Sequence, residues 1–258
     1  MAAPSSTTLL NPTPFNPTLF NPTVAGITLR AALGRRRALL YSVPGVVLII
    51  ITALLKAASP PDANWPGGIL GELGMTVMLP ITALIIGTSV LGAEIDEGSI
   101  VHLLATPVRR SAVIGSKFAI ATVLTMIFAA LPEFLAALIA RGGMGKLPLG
   151  LLVGALCASV IYSAIFVMLS AVTTRAVIIG LAYVLIWEAL LGAYAGGTHL
   201  LSAAQYSLGI ANSIAHYKSL NASLSLTTSV VMAIIVTAAA LVFAVRSLSS
   251  FALKGDAA

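Results

Sequence analysis

Apolar and polar positions divide the chain into six long apolar stretches, roughly residues 38–55, 69–93, 112–140, 149–172, 176–195 and 226–245, separated by short polar or charged segments. Each falls within the roughly 17–25 residues that a helix needs to cross a hydrocarbon core, or exceeds it. The pattern therefore predicts an all-α, polytopic membrane protein with six transmembrane helices. Pro80 and Pro132 lie inside the second and third stretches and are expected to bend them. Gly150, Gly154 and Ala158 recur at intervals of four on the fourth stretch, and Gly192 and Gly196 do so on the fifth, a spacing suited to close helix packing. Between 196 and 225 the chain is neither polar throughout nor apolar for long enough to span. Leu200, Leu201, Tyr206, Ile210, Ile214 and Tyr217 there predict short helices lying on or dipping into one leaflet.

Composition excludes a soluble domain: 59% of residues are hydrophobic, 9% are charged, and the mean hydropathy is +1.04. The net charge of +6 would point to nucleic acid in a soluble protein, but here the basic residues flank apolar stretches. With the N-terminus in the cytoplasm, ten Lys and Arg residues fall on the inner side and four on the outer. The positive-inside rule then predicts that both termini are cytoplasmic in a cell membrane, bacterial by expectation. The single cysteine, Cys157, allows neither a disulfide framework nor a thiolate metal cluster.

Residues 1–22 carry Asn-Pro-Thr at 11, 16 and 21, and no Lys or Arg precedes Arg30. This reads as a flexible cytoplasmic tail, not a cleavable signal, ahead of a membrane domain over 23–250 and a second tail over 251–258. Asn21 or Thr23 can cap a helix beginning near Pro22 and running to about 37. On that helix Val24, Ile27 and Ala31 share a side, but Leu29 and Leu33 lie nearly opposite, so its amphipathic signal is weak. Arg30, Arg35, Arg36 and Arg37 suit an anionic membrane surface, where each contributes about 1 kcal/mol.

Charge concentrates between the second and third stretches. Three of the chain's eight carboxylates (Glu94, Asp96, Glu97) and three of its fourteen Lys and Arg residues (Arg109, Arg110, Lys117) fall within 94–117. Ser99 can cap a short helix ending at Pro107, with carboxylates near its positive end. Ile100, Leu103 and Leu104 at i, i+3 and i+4 give that helix one apolar face able to enter a partner's groove.

The order Asp96-Glu97-Gly98-Ser99, Leu103-Leu104, Pro107-Val108, Arg110 and Lys117 resembles the cytoplasmic coupling segment of permease subunits in ATP-binding-cassette exporters of the ABC-2 type. The resemblance implies an elbow helix along the inner leaflet near 23–37, a coupling helix between the second and third spans, and re-entrant outer helices before the sixth. ATPase coupling would then fall to Glu94, Asp96, Glu97, Gly98, Ser99, Ile100, Leu103, Leu104, Pro107, Arg109 and Arg110. No phosphate-binding loop occurs; the run Gly142-Gly143-Met144-Gly145-Lys146-Leu147 fails both the glycine spacing and the hydroxyl position. The expectation is thus a transporter subunit with no catalytic site and no cofactor of its own, ATP and Mg belonging to a separate ATPase. Twelve spans in the resembled architecture imply a second permease chain, most simply a homodimer with two ATPases. The cargo expected is a hydrophobic or amphiphilic compound such as a drug, antibiotic or lipid.

Three residues within the spans bear on a transport path. Glu133 and Glu188 each lie about seven positions, or about 10 Å, from the outer end of their stretches. A central charge costs about 2.5–3.5 kcal/mol on insertion scales, so each is expected to face protein or an aqueous cavity. Either carboxyl can serve a substrate or proton path, or be packed and satisfied by a neighbouring helix. Trp187 can line such a path or anchor the interface. Glu72 reads as interfacial, and His199 and His216 lack the neighbours a metal needs. The competing functions are a proton-coupled secondary transporter using Glu133 and Glu188, which the lack of an internal repeat argues against, and a membrane scaffold without transport.

Overall fold

The structure is a computed structural model that describes residues 22–60, 64–96, 110–191 and 198–255. Among these every regular element is helical. Five stretches are long and apolar enough to cross a membrane: Arg37–Ala58, Trp65–Leu91, Ser111–Arg141, Lys146–Val172 and Leu226–Ser247. They match five of the six expected spans within four residues at each end. The chain is a multi-pass membrane protein.

In order, the helices are α1 (Pro22–Ala32), α2 (Arg35–Ala58), α3 (Trp65–Ile69), α4 (Leu79–Asp96), α5 (Arg110–Thr125), α6 (Leu131–Arg141), α7 (Lys146–Val172), α8 (Ala176–Ala182), α9 (Ala203–Ala215) and α10 (Leu226–Gly255). Three π-helical stretches are built into the long rods: π1 (Leu70–Met78) joins α3 to α4, π2 (Met126–Ala130) joins α5 to α6, and π3 (Tyr183–Leu191) continues α8. Pro80 and Pro132 each stand two positions after the last residue of π1 and π2. A proline cannot donate to the carbonyl four residues back, so the wider π turn absorbs the break that the sequence predicts as a bend.

The fifth expected span is the exception. Its described part, α8 and π3, holds 7 α-helical and 9 π-helical residues, and the rest of the expected stretch, 192–195, lies outside the described residues. The segment expected as short helices lying on or dipping into the outer leaflet folds largely as α9. It is one helix of 13 residues with ten of them buried, packed on α7 and α10. Gly150 faces Ala211 and Ala215, while Gly154 faces Ser207 and Ala211. The two helices are therefore antiparallel, with the N-terminus of α9 deep in the bundle. Small residues on α7 permit this contact, because any side chain at Gly150 or Gly154 would strike the backbone of α9.

Helix α7 is the hub, contacting α4, α5, α6, α9 and α10. Phe166 packs on Gly87 of α4, Ser163 pairs with Thr125 of α5, and Ser247 of α10 donates to the Ala171 carbonyl. Peripheral α2 and α10 expose Leu39, Leu40, Ile50, Leu54, Val231, Ile234, Ile235 and Phe243, an apolar surface that a bilayer solvates.

Helix α1 starts at Pro22 as expected but stops at Ala32 instead of near 37. Gly34 is extended and offers its carbonyl to the N–H groups of Arg37 and Ala38, starting α2 there, so Arg35, Arg36 and Arg37 form the first turn of the span's own helix. Ala25, Thr28 and Ala32 of α1 are buried, against α5 and α4; the side chains of Val24, Ile27 and Ala31 lie outside the description.

Candidate functional site

Glu133 occupies the first turn of α6, 1% exposed. Neither carboxyl oxygen has a hydrogen-bond partner among the described residues. The group rests against Gly74 of π1, where a single added methyl would collide with it. Around it lie Gly45 and Leu48 of α2, Met78 of π1, Leu79 and Thr82 of α4, and Ala129 of π2, in a cleft too narrow for a water molecule. Pro132 and the Phe128 carbonyl press on Gly45, where again only hydrogen fits. Glycines on two neighbouring elements thus let the backbone close down around one acid.

Glu188 is equally buried, at 1%, but its surroundings are the reverse. One carboxylate oxygen accepts from the Tyr183 hydroxyl at 2.6 Å and the Ala203 N–H at 2.9 Å. The other accepts from the Ser202 hydroxyl at 2.5 Å and the Ala204 N–H at 3.4 Å. Ser202 is also the N-cap of α9, accepting from the Gln205 N–H. The carboxylate therefore closes the positive end of α9 and satisfies donors that would otherwise be orphaned inside the bundle.

The sequence placed the two acids at similar depth with the prospect of a shared site. They occupy different surroundings: the partners of Glu188 come from π3 and the start of α9, and none of them touches the Glu133 cleft. The Glu188 carboxyl is packed and satisfied by neighbouring donors. Trp187 donates its indole N–H to the Leu201 carbonyl at 3.2 Å, fastening the turn that leads into α9. Glu72 is exposed and accepts from Asn221 at 3.1 Å.

Lys117 is the clearest correction to the charged segment. Expected at a membrane surface within reach of a partner, it is fully buried and donates to the Val90 carbonyl of α4 at 2.8 Å. Its long apolar stem lies within the α4–α5 contact. In a Cys157→Ser background, cysteine at position 117 is expected to react with maleimide at least about tenfold more slowly than cysteine at exposed position 30 of the purified chain. Equal rates would contradict the burial.

Of the expected coupling residues, Glu97, Gly98, Ser99, Ile100, Leu103, Leu104, Pro107 and Arg109 lie outside the described residues, as do Gly192 and Gly196. Glu94 and Asp96 belong to the last turns of α4, and Arg110 opens α5; their side chains lie outside the description. Of the basic residues before the first span, Arg30 is exposed and Arg37 half-buried.

The comparison with protein families settles what kind of bundle this is. A family model described as ABC-2 family transporter protein matches residues 33–191, more than half of the chain. The chain belongs to the ABC-2 transporter family. No curated protein matches it. As an ABC-2 permease it is the membrane subunit of an ABC transporter, a role that implies an ABC ATPase as partner. The match runs from the start of α2 to the end of π3, so it includes Glu133, Glu188 and the charged segment and stops before α9.

Sequence reasoning missed three elements of these sites. Ser202 had a readable signal, since Ser202-Ala203-Ala204-Gln205 has the capping-box pattern before a helix. Tyr183, five residues before Glu188, did not signal its hydroxyl contact. Gly74 gave no signal, because its role is set by a carboxyl some sixty positions away.

Proposed function

We propose that this chain is the permease of an ABC exporter and moves a hydrophobic or amphiphilic compound outward, driven by ATP and Mg at a separate ATPase. The family match across the membrane domain carries the reading. In this arrangement two copies of the chain pair as a homodimer with two ATPases in a bacterial cell membrane, both termini cytoplasmic. Segment 94–110 is the coupling element, meeting the ATPase through Asp96, Glu97 and the face of Ile100, Leu103 and Leu104. Helix α1 is the elbow helix, its Arg30 turned to solvent or headgroups. Helix α9, starting deep in the bundle and running toward the outer side, lines the outer half of the pore.

Nucleotide-driven closure of the ATPases would push on the coupling segment and pass through α4 and α5 to α7, against which both are packed. A proton relay using both carboxyls is disfavoured because Glu188 is held by four donors. Pulldown of the tagged chain is expected to recover an ATPase, and Asp96→Lys with Glu97→Lys to lower that recovery about tenfold, as reversal of paired charges at an interface does. Unchanged recovery would remove those residues from the coupling role. Reconstituted transport running on a proton gradient without any ATPase would overturn the exporter reading itself.

A further inference from the structure

Three irregular stretches of backbone converge on Glu133. Helix α2 contributes Pro44 and Gly45, π1 contributes Gly74 and runs into Pro80, and π2 runs into Pro132 beside the acid. Departures from α-helical winding to π are frequent at functional sites. Here they surround a carboxyl that is 1% exposed and has no hydrogen-bond partner among the described residues. An acid placed so is left with unused bonding capacity.

The walls define what could use that capacity. Leu48, Met78, Leu79 and Ala129 are apolar, Thr82 is close by, and the Thr82 hydroxyl is engaged with the Met78 carbonyl. One carboxyl in an apolar cleft complements a ligand with one positive charge on an apolar body. Helix α2 covers the cleft, presents its opposite face to the exterior through Leu39, Val43, Ile50 and Leu54, and is separated from α1 by the break at Leu33 and Gly34. Its main contacts run to α6, α4, π1 and π2, outside the α7–α9 hub.

We propose that Glu133 is the charge-recognition element of a binding cleft for cationic amphiphiles, opened by displacement of α2. This deepens the exporter reading and rests on it for the direction of transport. The purified full-length chain would be titrated with two fluorescent alkyl probes of equal length, one ending in trimethylammonium and the other in a hydroxyl. The expected result is at least about tenfold tighter binding of the cation, a difference of about 1.4 kcal/mol. Glu133→Gln, which keeps the shape, removes that preference, and Glu133→Asp retains part of it.

No preference for the cation in the unsubstituted chain overturns the proposal, however the variants fold. So does a preference that survives Glu133→Gln, or an equal loss of both probes, which marks a structural role. Loss of proton uptake in Glu133→Gln with cation binding unchanged assigns the carboxyl to protons and also overturns it. A chain that brings down its ATPase but fails the probe test loses this site and keeps the exporter reading.

Discussion

Glu188→Ala is expected to destabilise the folded chain by about 3 kcal/mol or more, the largest effect of any polar substitution in the bundle. Truncation leaves the Tyr183 and Ser202 hydroxyls and the Ala203 and Ala204 N–H groups without their acceptor. Each orphaned buried donor costs about 1–3 kcal/mol, although such costs are not additive. The favourable charge at the N-terminus of α9 is lost as well, a further contribution of up to about 2 kcal/mol in a partly buried setting. Glu188→Gln keeps one accepting oxygen but turns an amide N–H₂ toward the donors of the other, so an intermediate loss is expected. Unfolding of the purified protein by graded SDS measures both. A Glu188→Ala protein as stable as its parent would remove Glu188 from its role as the anchor of α9.

Gly150→Val is expected to cost about 3 kcal/mol or more, at the upper end of the range for overpacking. Its added Cβ would meet the Ala211 carbonyl and the backbone of Ala215, atoms that cannot move without shifting α9 as a whole. The sign is diagnostic even for Gly150→Ala. On an open helical surface replacing glycine with alanine gains about 0.5–1 kcal/mol, whereas here a net loss is expected. Gly26 of α1 has nothing within 4 Å of an added Cβ and supplies the control: Gly26→Ala should be neutral or stabilising in the same SDS titration. Equal behaviour at 26 and 150 would mean that the α7–α9 contact is not the close one described.

Both predictions concern α9, the element least legible in the sequence. Leu200, Ile210 and Ile214 suggested only short helices on or dipping into the leaflet, because the segment is too short to span and mixes polar with apolar residues. Its polar residues turn out to have partners: Ser202 with Glu188, Ser207 with the Ala203 carbonyl, and Gln205 with Ser223. Burial of such a segment depends on acceptors and donors from elsewhere in the chain, which a local pattern does not register.

The acids show the same division. Their presence in apolar stretches marked Glu133 and Glu188 as exceptional, since charge in a membrane core is costly wherever it occurs. Equal position in the stretches gave no means of separating them. Only the meeting of π3 with the N-terminus of α9 satisfies one, and only the approach of Gly74 and Gly45 encloses the other without a partner. Lys117, a surface charge by its position after Arg109 and Arg110, is buried because the Val90 carbonyl lies within reach across the α4–α5 contact.

By itself the sequence determined the membrane class, five of the spans and the resemblance that the family match bears out. These follow from chain-local quantities: the length of an apolar run against the thickness of a bilayer, and the order of residues in one segment. Tertiary structure decided the enclosure of Glu133, the burial of α9 and the different surroundings of the two carboxyls. Those depend on which backbone atoms approach closely and which donors face which acceptors, and such pairings join residues that lie up to dozens of positions apart.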